Sequence, residues 1–251
     1  MPELDKAQPE GTPTWLDLGI PDLDRAVDFY GAVFGWDFDR GSAETGYYTT
    51  CLLRGKPVAA LMQNVDADPI GYWWNLYFAV DDCEAAANRA KAAGAELLQA
   101  PMQVMEYGKM AVLRDPTGGQ FALWEAGEHI GAQIVNEPNS LLRNDLITPR
   151  PGPARDFYTA VFGFTLDGDS QLEGADFTFL RRPDGHEIGG ILGDPSAKTS
   201  DWGVLFAVDD VDATVARVRR AGGSAEEPFD MEYGRVANVQ DPFGTPFSVG
   251  A

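Results

Sequence analysis

The chain has 251 residues, with 39 acidic against 19 basic side chains, a formal charge of −20, 44% apolar residues, 28 glycines and 2 cysteines. That balance excludes a sequence-independent nucleic-acid binder, which needs a basic face to release counterions, and an anionic membrane surface would repel the chain for the same reason. No apolar run approaches the roughly 20 residues of a membrane span, and two lone cysteines read as reduced thiols in a cytoplasm rather than a disulfide framework.

Residues 1–13 are polar and proline-bearing, without the layout of a signal peptide, and read as a disordered leader. From Trp15 to Ile20 the sequence alternates as a strand does, Leu16, Leu18 and Ile20 on one face and Trp15, Asp17 and Gly19 on the other. A helix follows, capped by Asp22 or Asp24, carrying Ala26, Tyr30, Val33 and Phe34 at helical spacing and stopped by Gly35. Strand-like runs come at Tyr47 to Leu53, Pro57 to Gln63 and Trp73 to Val80. An alanine-rich helix covers Asp82 to Ala93. Strands near Lys109 to Arg114 and Gly119 to Glu125 flank a tight turn at Asp115-Pro116-Thr117-Gly118.

The chain then repeats itself. Asp28-Phe29-Tyr30-Gly31-Ala32-Val33-Phe34-Gly35 returns as Asp156-Phe157-Tyr158-Thr159-Ala160-Val161-Phe162-Gly163, an offset of 128, and Phe78 to Asp82 returns as Phe206 to Asp210 at the same offset. At an offset of 126, Met105-Glu106-Tyr107-Gly108-Lys109 becomes Met231-Glu232-Tyr233-Gly234-Arg235, and Asp115-Pro116-Thr117-Gly118 becomes Asp241-Pro242-Phe243-Gly244. This is a duplicated domain. The expected organisation is an N-terminal domain over 14–126, a linker over 127–138 and a C-terminal domain over 139–251, each half built from two β-α-β-β-β modules.

That order, with the Phe-Tyr-x-x-x-Phe-Gly helix end and the Asp-Pro-x-Gly turn before the last strand, resembles the vicinal oxygen chelate superfamily of glyoxalase I, bleomycin-resistance proteins and extradiol dioxygenases. The resemblance implies an α+β fold: four βαβββ modules in two tandem glyoxalase-like domains, their curved mixed sheets wrapped around cup-shaped cavities. It also implies that catalytic members hold a divalent metal there with His, Glu or Gln side chains. At the matching positions this chain has Trp15 and Arg143, Asn75 and Gly203, and Ala122 and Ser248, and the remaining ligand strands, Val58 to Met62 and Ile188 to Leu192, offer no carboxylate or imidazole. Such ions need about three or four convergent His or carboxylate donors. No metal is therefore expected. His129 lies in the linker and His186 in a turn, both expected to face solvent or to be hydrogen-bonded; Glu187 beside His186 makes too small a set.

Strand alternation puts Trp15, Asp17, Asn75, Tyr77, Ala122 and Trp124 on the cup face of the first half, and Arg143, Asp145, Ile147, Gly203, Leu205 and Ser248 on that of the second. The ligand-contacting set is expected to be Trp15, Asn75, Tyr77, Trp124, Leu205 and Ser248, with Tyr107 and Tyr233 in loops over the cup mouths. Asp17, Asp145 and Arg143 are the candidates for chemistry. Each has a structural alternative: the two aspartates binding backbone amides, Arg143 merely pairing with Asp145, and Trp15 and Trp124 filling core. No dinucleotide fingerprint, phosphate loop or nucleophile elbow is present, so no cofactor is expected. Two functions follow. One is a protein that binds an organic small molecule, as in natural-product sequestration or resistance. The other is a metal-independent isomerase, lyase or cyclase using a pocket aspartate as base. Glyoxalase or dioxygenase chemistry ranks lower. With four modules in one chain, a monomer is expected.

Overall fold

A computed structural model describes residues 3–64, 72–168 and 174–251. The first module comprises β1 (Pro13–Ile20), α1 (Leu23–Phe34), β2 (Asp37–Arg40), β3 (Thr49–Leu53) and β4 (Lys56–Gln63), and the second β5 (Trp74–Ala79), α2 (Cys83–Ala92), β6 (Glu96–Val104), β7 (Gly108–Arg114) and β8 (Gln120–Ala126). The third holds β9 (Leu141–Thr148), α3 (Pro151–Phe162), β10 (Thr165–Gly168), β11 (Asp176–Arg181) and β12 (Glu187–Gly193). The fourth holds β13 (Asp201–Ala207), α4 (Val211–Arg220), β14 (Ser224–Ala225), β15 (Phe229–Met231), β16 (Gly234–Gln240) and β17 (Pro246–Gly250). Two strands escaped the sequence reading. β2 is four mostly exposed residues, and β6 contains a proline and two register shifts that break its alternation.

Each half forms one mixed sheet, in the orders β2-β3-β4-β1-β5-β8-β7-β6 and β10-β11-β12-β9-β13-β17-β16-β14, with β15 on β16. Module one therefore pairs with module two through antiparallel β1 and β5, and module three with module four through β9 and β13. The helices start where short acids satisfy the first turn: Asp22, Asp82 and Asp210 each accept a backbone N–H three residues on, while α3 starts on Pro151. None of the described helices is long and apolar enough to cross a membrane.

One apolar core fills the space between the backs of the two sheets, where Tyr30, Phe34, Trp36 and Trp74 of the first half meet Phe206 and Phe247 of the second. Repeated residues hold this junction reciprocally. Tyr30 donates to Asp241 Oδ2 at 3.1 Å, and Tyr158 donates to Asp115 Oδ2 at 2.9 Å while accepting from Trp202 Nε1 at 2.9 Å. The other oxygen of each aspartate ties its own Asp-Pro turn, Asp115 Oδ1 to the N–H of Thr117, Gly118 and Gly119 and Asp241 Oδ1 to those of Phe243 and Thr245. Arg89 Nε reaches the Val161 carbonyl at 3.1 Å and Arg217 Nε the Val33 carbonyl at 2.9 Å, so each half places a cation on the C-terminal turn of a helix in the other.

Residues 3–12, read as part of a disordered leader, are instead tied down. Leu4 N bonds the Gln133 carbonyl, Gly11 N the Ala79 carbonyl, and Arg89 pairs with Glu10.

Candidate functional site

With the convex faces consumed by the core, the concave faces are where a ligand can lie, and the two differ. In the first, β1 and β5 register Asp17 opposite Asn75 and Trp15 opposite Tyr77, and β8 places Ala122 and Trp124 beside them. Asp17, 2% exposed, accepts from Asn75 Nδ2 at 2.9 Å, Tyr77 OH at 2.7 Å and Tyr48 OH at 3.3 Å. Burial raises its pKa even against these three donors. Trp15 Nε1 closes the circuit onto Tyr48 OH at 2.8 Å, and Asn75 Oδ1 accepts from Trp73 and Gln120. The aspartate binds side chains, not the backbone amides expected of a structural role.

The linker then covers this face. Ala132 N bonds the Thr14 carbonyl at 2.7 Å and Gln133 N the Pro57 carbonyl at 2.8 Å, while Ala132 packs among Trp15, Ala60, Tyr77, Ala122 and Trp124. Gly131, at φ 94°, lies so close to Thr14 that no side chain fits there. His129 neither faces solvent nor pairs its Nε2. Its ring stands edge-on to Trp15 at 4.3 Å and Trp124 at 5.5 Å, and burial lowers its pKa to about 4. Trp15, Tyr77 and Trp124, at 3%, 6% and 6% exposure, thus fill a closed core, and of the three Trp124 alone also borders a small cavity of about 160 Å³, with Thr14, Ala79 and Ile130.

The second concave face carries smaller groups at the same registers. Gly203 stands opposite Asp145 where Asn75 faces Asp17, Leu205 stands opposite Arg143 where Tyr77 faces Trp15, and Ser248 lies beside Leu205. Leu205 and Ser248 are half-buried, and Ile147 is 37% exposed. By register Phe229 shares the face through Val236, and it is also exposed. At the centre Arg143 Nε donates to Asp145 Oδ2 at 2.7 Å and Nη1 to Glu187 Oε1 at 2.8 Å. Its guanidinium carbon lies 5.6 Å and 5.4 Å from the ring centres of Phe177 and Phe179. Arg181 joins Glu187 to Asp167. Ile147, Gly203, Asn238 and Ser248 also line a groove of about 880 Å³ that continues to Trp73 and Phe243 between the halves.

The sequence reading thus assigned both faces correctly, and the structure brings Arg143, Asp145, Leu205 and Ser248 together in an open one. It missed Glu187 as a partner of Arg143, and it missed Phe177 and Phe179, whose period-two spacing before Arg181 was the available signal. Tyr107 and Tyr233 occupy the exposed β6–β7 and β15–β16 turns, and Gly108 is required because Trp124 packs against its backbone. His186 is exposed in its turn.

The residues at the family's metal positions do not fit a divalent ion: indole, amide and methyl groups in one cup, guanidinium, glycine and hydroxyl in the other. Among the described residues the carboxylate group close enough to share an ion is Asp82, Glu84 and Glu125, away from both concave faces, and Lys109 Nζ already bonds Glu84 at 2.9 Å.

Two family models match the chain, a glyoxalase-like domain over residues 14–124 and the glyoxalase/bleomycin resistance protein/dioxygenase superfamily over residues 134–249. A Mycobacterium bovis protein named "Putative glyoxylase CFP32" is 38% identical over 247 residues, covering 96% of this chain and 94% of that protein. The anthracycline biosynthesis protein DnrV of Streptomyces peucetius is 39% identical over 258 residues, covering 95% and 92%. Among solved structures, the Mn(II)-bound glyoxalase from Novosphingobium aromaticivorans superposes with a TM-score of 0.69 at 19% identity, over 96% of this chain and 82% of that one.

Proposed function

The chain belongs to the glyoxalase/bleomycin resistance protein/dioxygenase superfamily, and on that premise we propose that it binds a small, largely apolar organic molecule on its second concave face, without a metal ion. The observation that carries this reading is the contrast between the faces: one closed by its own linker and aromatic side chains, the other open, half-exposed and centred on a buried-edge ion cluster. A groove of about 880 Å³, within the range of sites for drug-sized ligands, adjoins this face at Ile147, Gly203 and Ser248, although Arg143 and Asp145 do not line it. The similarity to two proteins named for anthracycline biosynthesis supports a planar, polycyclic natural product as the ligand class.

Asp17 plays no part in it. Both its oxygens are held by donors under the linker. If the bound compound is also converted, the base is Asp145, the carboxylate on the open face.

The test is a visible-absorbance titration with quinizarin, a planar dihydroxyanthraquinone, in the presence of EDTA. The expected result is saturable one-to-one binding that Gly203→Trp abolishes, with the dye recovered unchanged after prolonged incubation. Binding that requires added divalent ion, or that persists in Gly203→Trp, overturns the reading.

A further inference from the structure

Arg143 is fixed at two edges and lies over two aromatic rings. Two of its five N–H groups are spent on Asp145 and Glu187, the rings of Phe177 and Phe179 lie against the guanidinium, and among the described residues Nη2 makes no hydrogen bond. The side chain remains 30% exposed, so a rigid planar donor is offered to the cup. Beside it is the opposite kind of group. Asp145 Oδ1 is buried and has no partner among the described residues, although its Oδ2 is bound, and a buried carboxylate oxygen left unpaired is costly unless something pairs with it. Oδ1 and the edge of the Phe177 ring converge above Gly190, at a point where a Cβ would strike both. Gly190 thus leaves room for the ring beside Oδ1.

We propose that Arg143 Nη2 and Asp145 Oδ1 act as an adjacent donor and acceptor that select planar conjugated ligands carrying a carbonyl oxygen next to a hydroxyl group. The carbonyl accepts from the guanidinium, the hydroxyl donates to the carboxylate, and the ring system stacks on the free guanidinium face, on the apolar surface of Ile147 and Leu205. Arg143 and Arg181 against Asp145, Asp167 and Glu187 leave the cluster one negative charge, which disfavours carboxylate or phosphate ligands and favours neutral hydroxyl donors. The inference rests on the second face being the binding site, and the experiment separates the two.

The experiment compares quinizarin, which has carbonyl and hydroxyl side by side, with 9,10-anthraquinone, which has the carbonyl alone. Both are titrated against wild type, Asp145→Leu, Arg143→Met and Gly203→Trp. Because removal of Arg143 strands two carboxylates, a triple variant, Arg143→Met with Asp145→Asn and Glu187→Gln, replaces the cluster without net unpaired charge. The expected result is that wild type prefers quinizarin by at least about tenfold, that Asp145→Leu brings the two dyes within about twofold, and that the triple variant loses tenfold or more for both. Circular dichroism confirms that each variant is folded. If quinizarin binds, Gly203→Trp blocks it, and the preference survives in Asp145→Leu and the triple variant, the donor–acceptor pair is wrong while the site stands. If Gly203→Trp binds both dyes like wild type, the site itself is wrong. If wild type binds neither dye, the ligand class is wrong.

Discussion

Tyr158→Phe removes one oxygen at the junction of the two halves, and its cost follows from what that oxygen does. It donates to Asp115 Oδ2 and accepts from Trp202 Nε1, both at 2.9 Å, with Tyr158, Asp115 and Trp202 all buried. Phenylalanine leaves one indole N–H and one carboxylate oxygen without partners, at about 1–3 kcal/mol each, so the expected destabilisation is about 2–6 kcal/mol. The Asp-Pro turn survives, because Asp115 Oδ1 keeps its backbone donors. Tyr30→Phe breaks the equivalent bond to Asp241, at 3.1 Å, and costs about 1–3 kcal/mol. The assay is urea unfolding followed in parallel by tryptophan fluorescence and far-ultraviolet circular dichroism. Five of the six tryptophans lie in the first half, whereas dichroism reports both. A shared core requires coincident transitions in wild type and a lower midpoint for both probes in Tyr158→Phe. A Tyr158→Phe stability within about 0.5 kcal/mol of wild type, or separate transitions for the two probes in wild type, refutes the reasoning.

Three further outcomes are expected. His129 titrates near 4 when folded and near 6.5 when unfolded, so the unfolded chain takes up its proton first; stability is complete above pH 6.5 and falls by up to about 3 kcal/mol as pH drops toward 4, a slope that His129→Phe reduces in pH-dependent urea unfolding. Asn144 is 3% exposed with its Nδ2 unpartnered, at the position Leu16 holds in the first half; Asn144→Leu raises stability by about 1–2 kcal/mol in the same assay, and a loss contradicts the account. Asp17→Asn turns an N–H toward groups that were all donating, costs about 1–3 kcal/mol and, with the proposed ligand on the other concave face, leaves quinizarin affinity unchanged; a lost affinity in folded protein returns Asp17 to the site.

The fold was legible because duplication preserves spacing. Several repeated identities owe their place to the junction rather than to any ligand: Tyr30 and Tyr158 reach Asp241 and Asp115 across it, and Arg89 and Arg217 reach Val161 and Val33. Alternation along β1, β5 and β8 put Trp15, Asp17, Tyr77 and Trp124 on one face correctly. What alternation does not carry is whether a face is open. That is decided by residues 127–135, which have no periodicity and close the first cup through backbone bonds to Thr14 and Pro57. Nor could local sequence show that Arg143 bridges Asp145 and Glu187, because Glu187 comes from a strand 44 residues further along the chain.

The most direct measurement is methyl NMR of isoleucine-labelled protein titrated with quinizarin in EDTA. Ile147 lies on the open face, while Ile130 belongs to the segment running over the closed one, beside Thr14 and Trp124. The account predicts that the Ile147 methyl resonance shifts to saturation while that of Ile130 stays in place. A shift at Ile130 with Ile147 unmoved would contradict it.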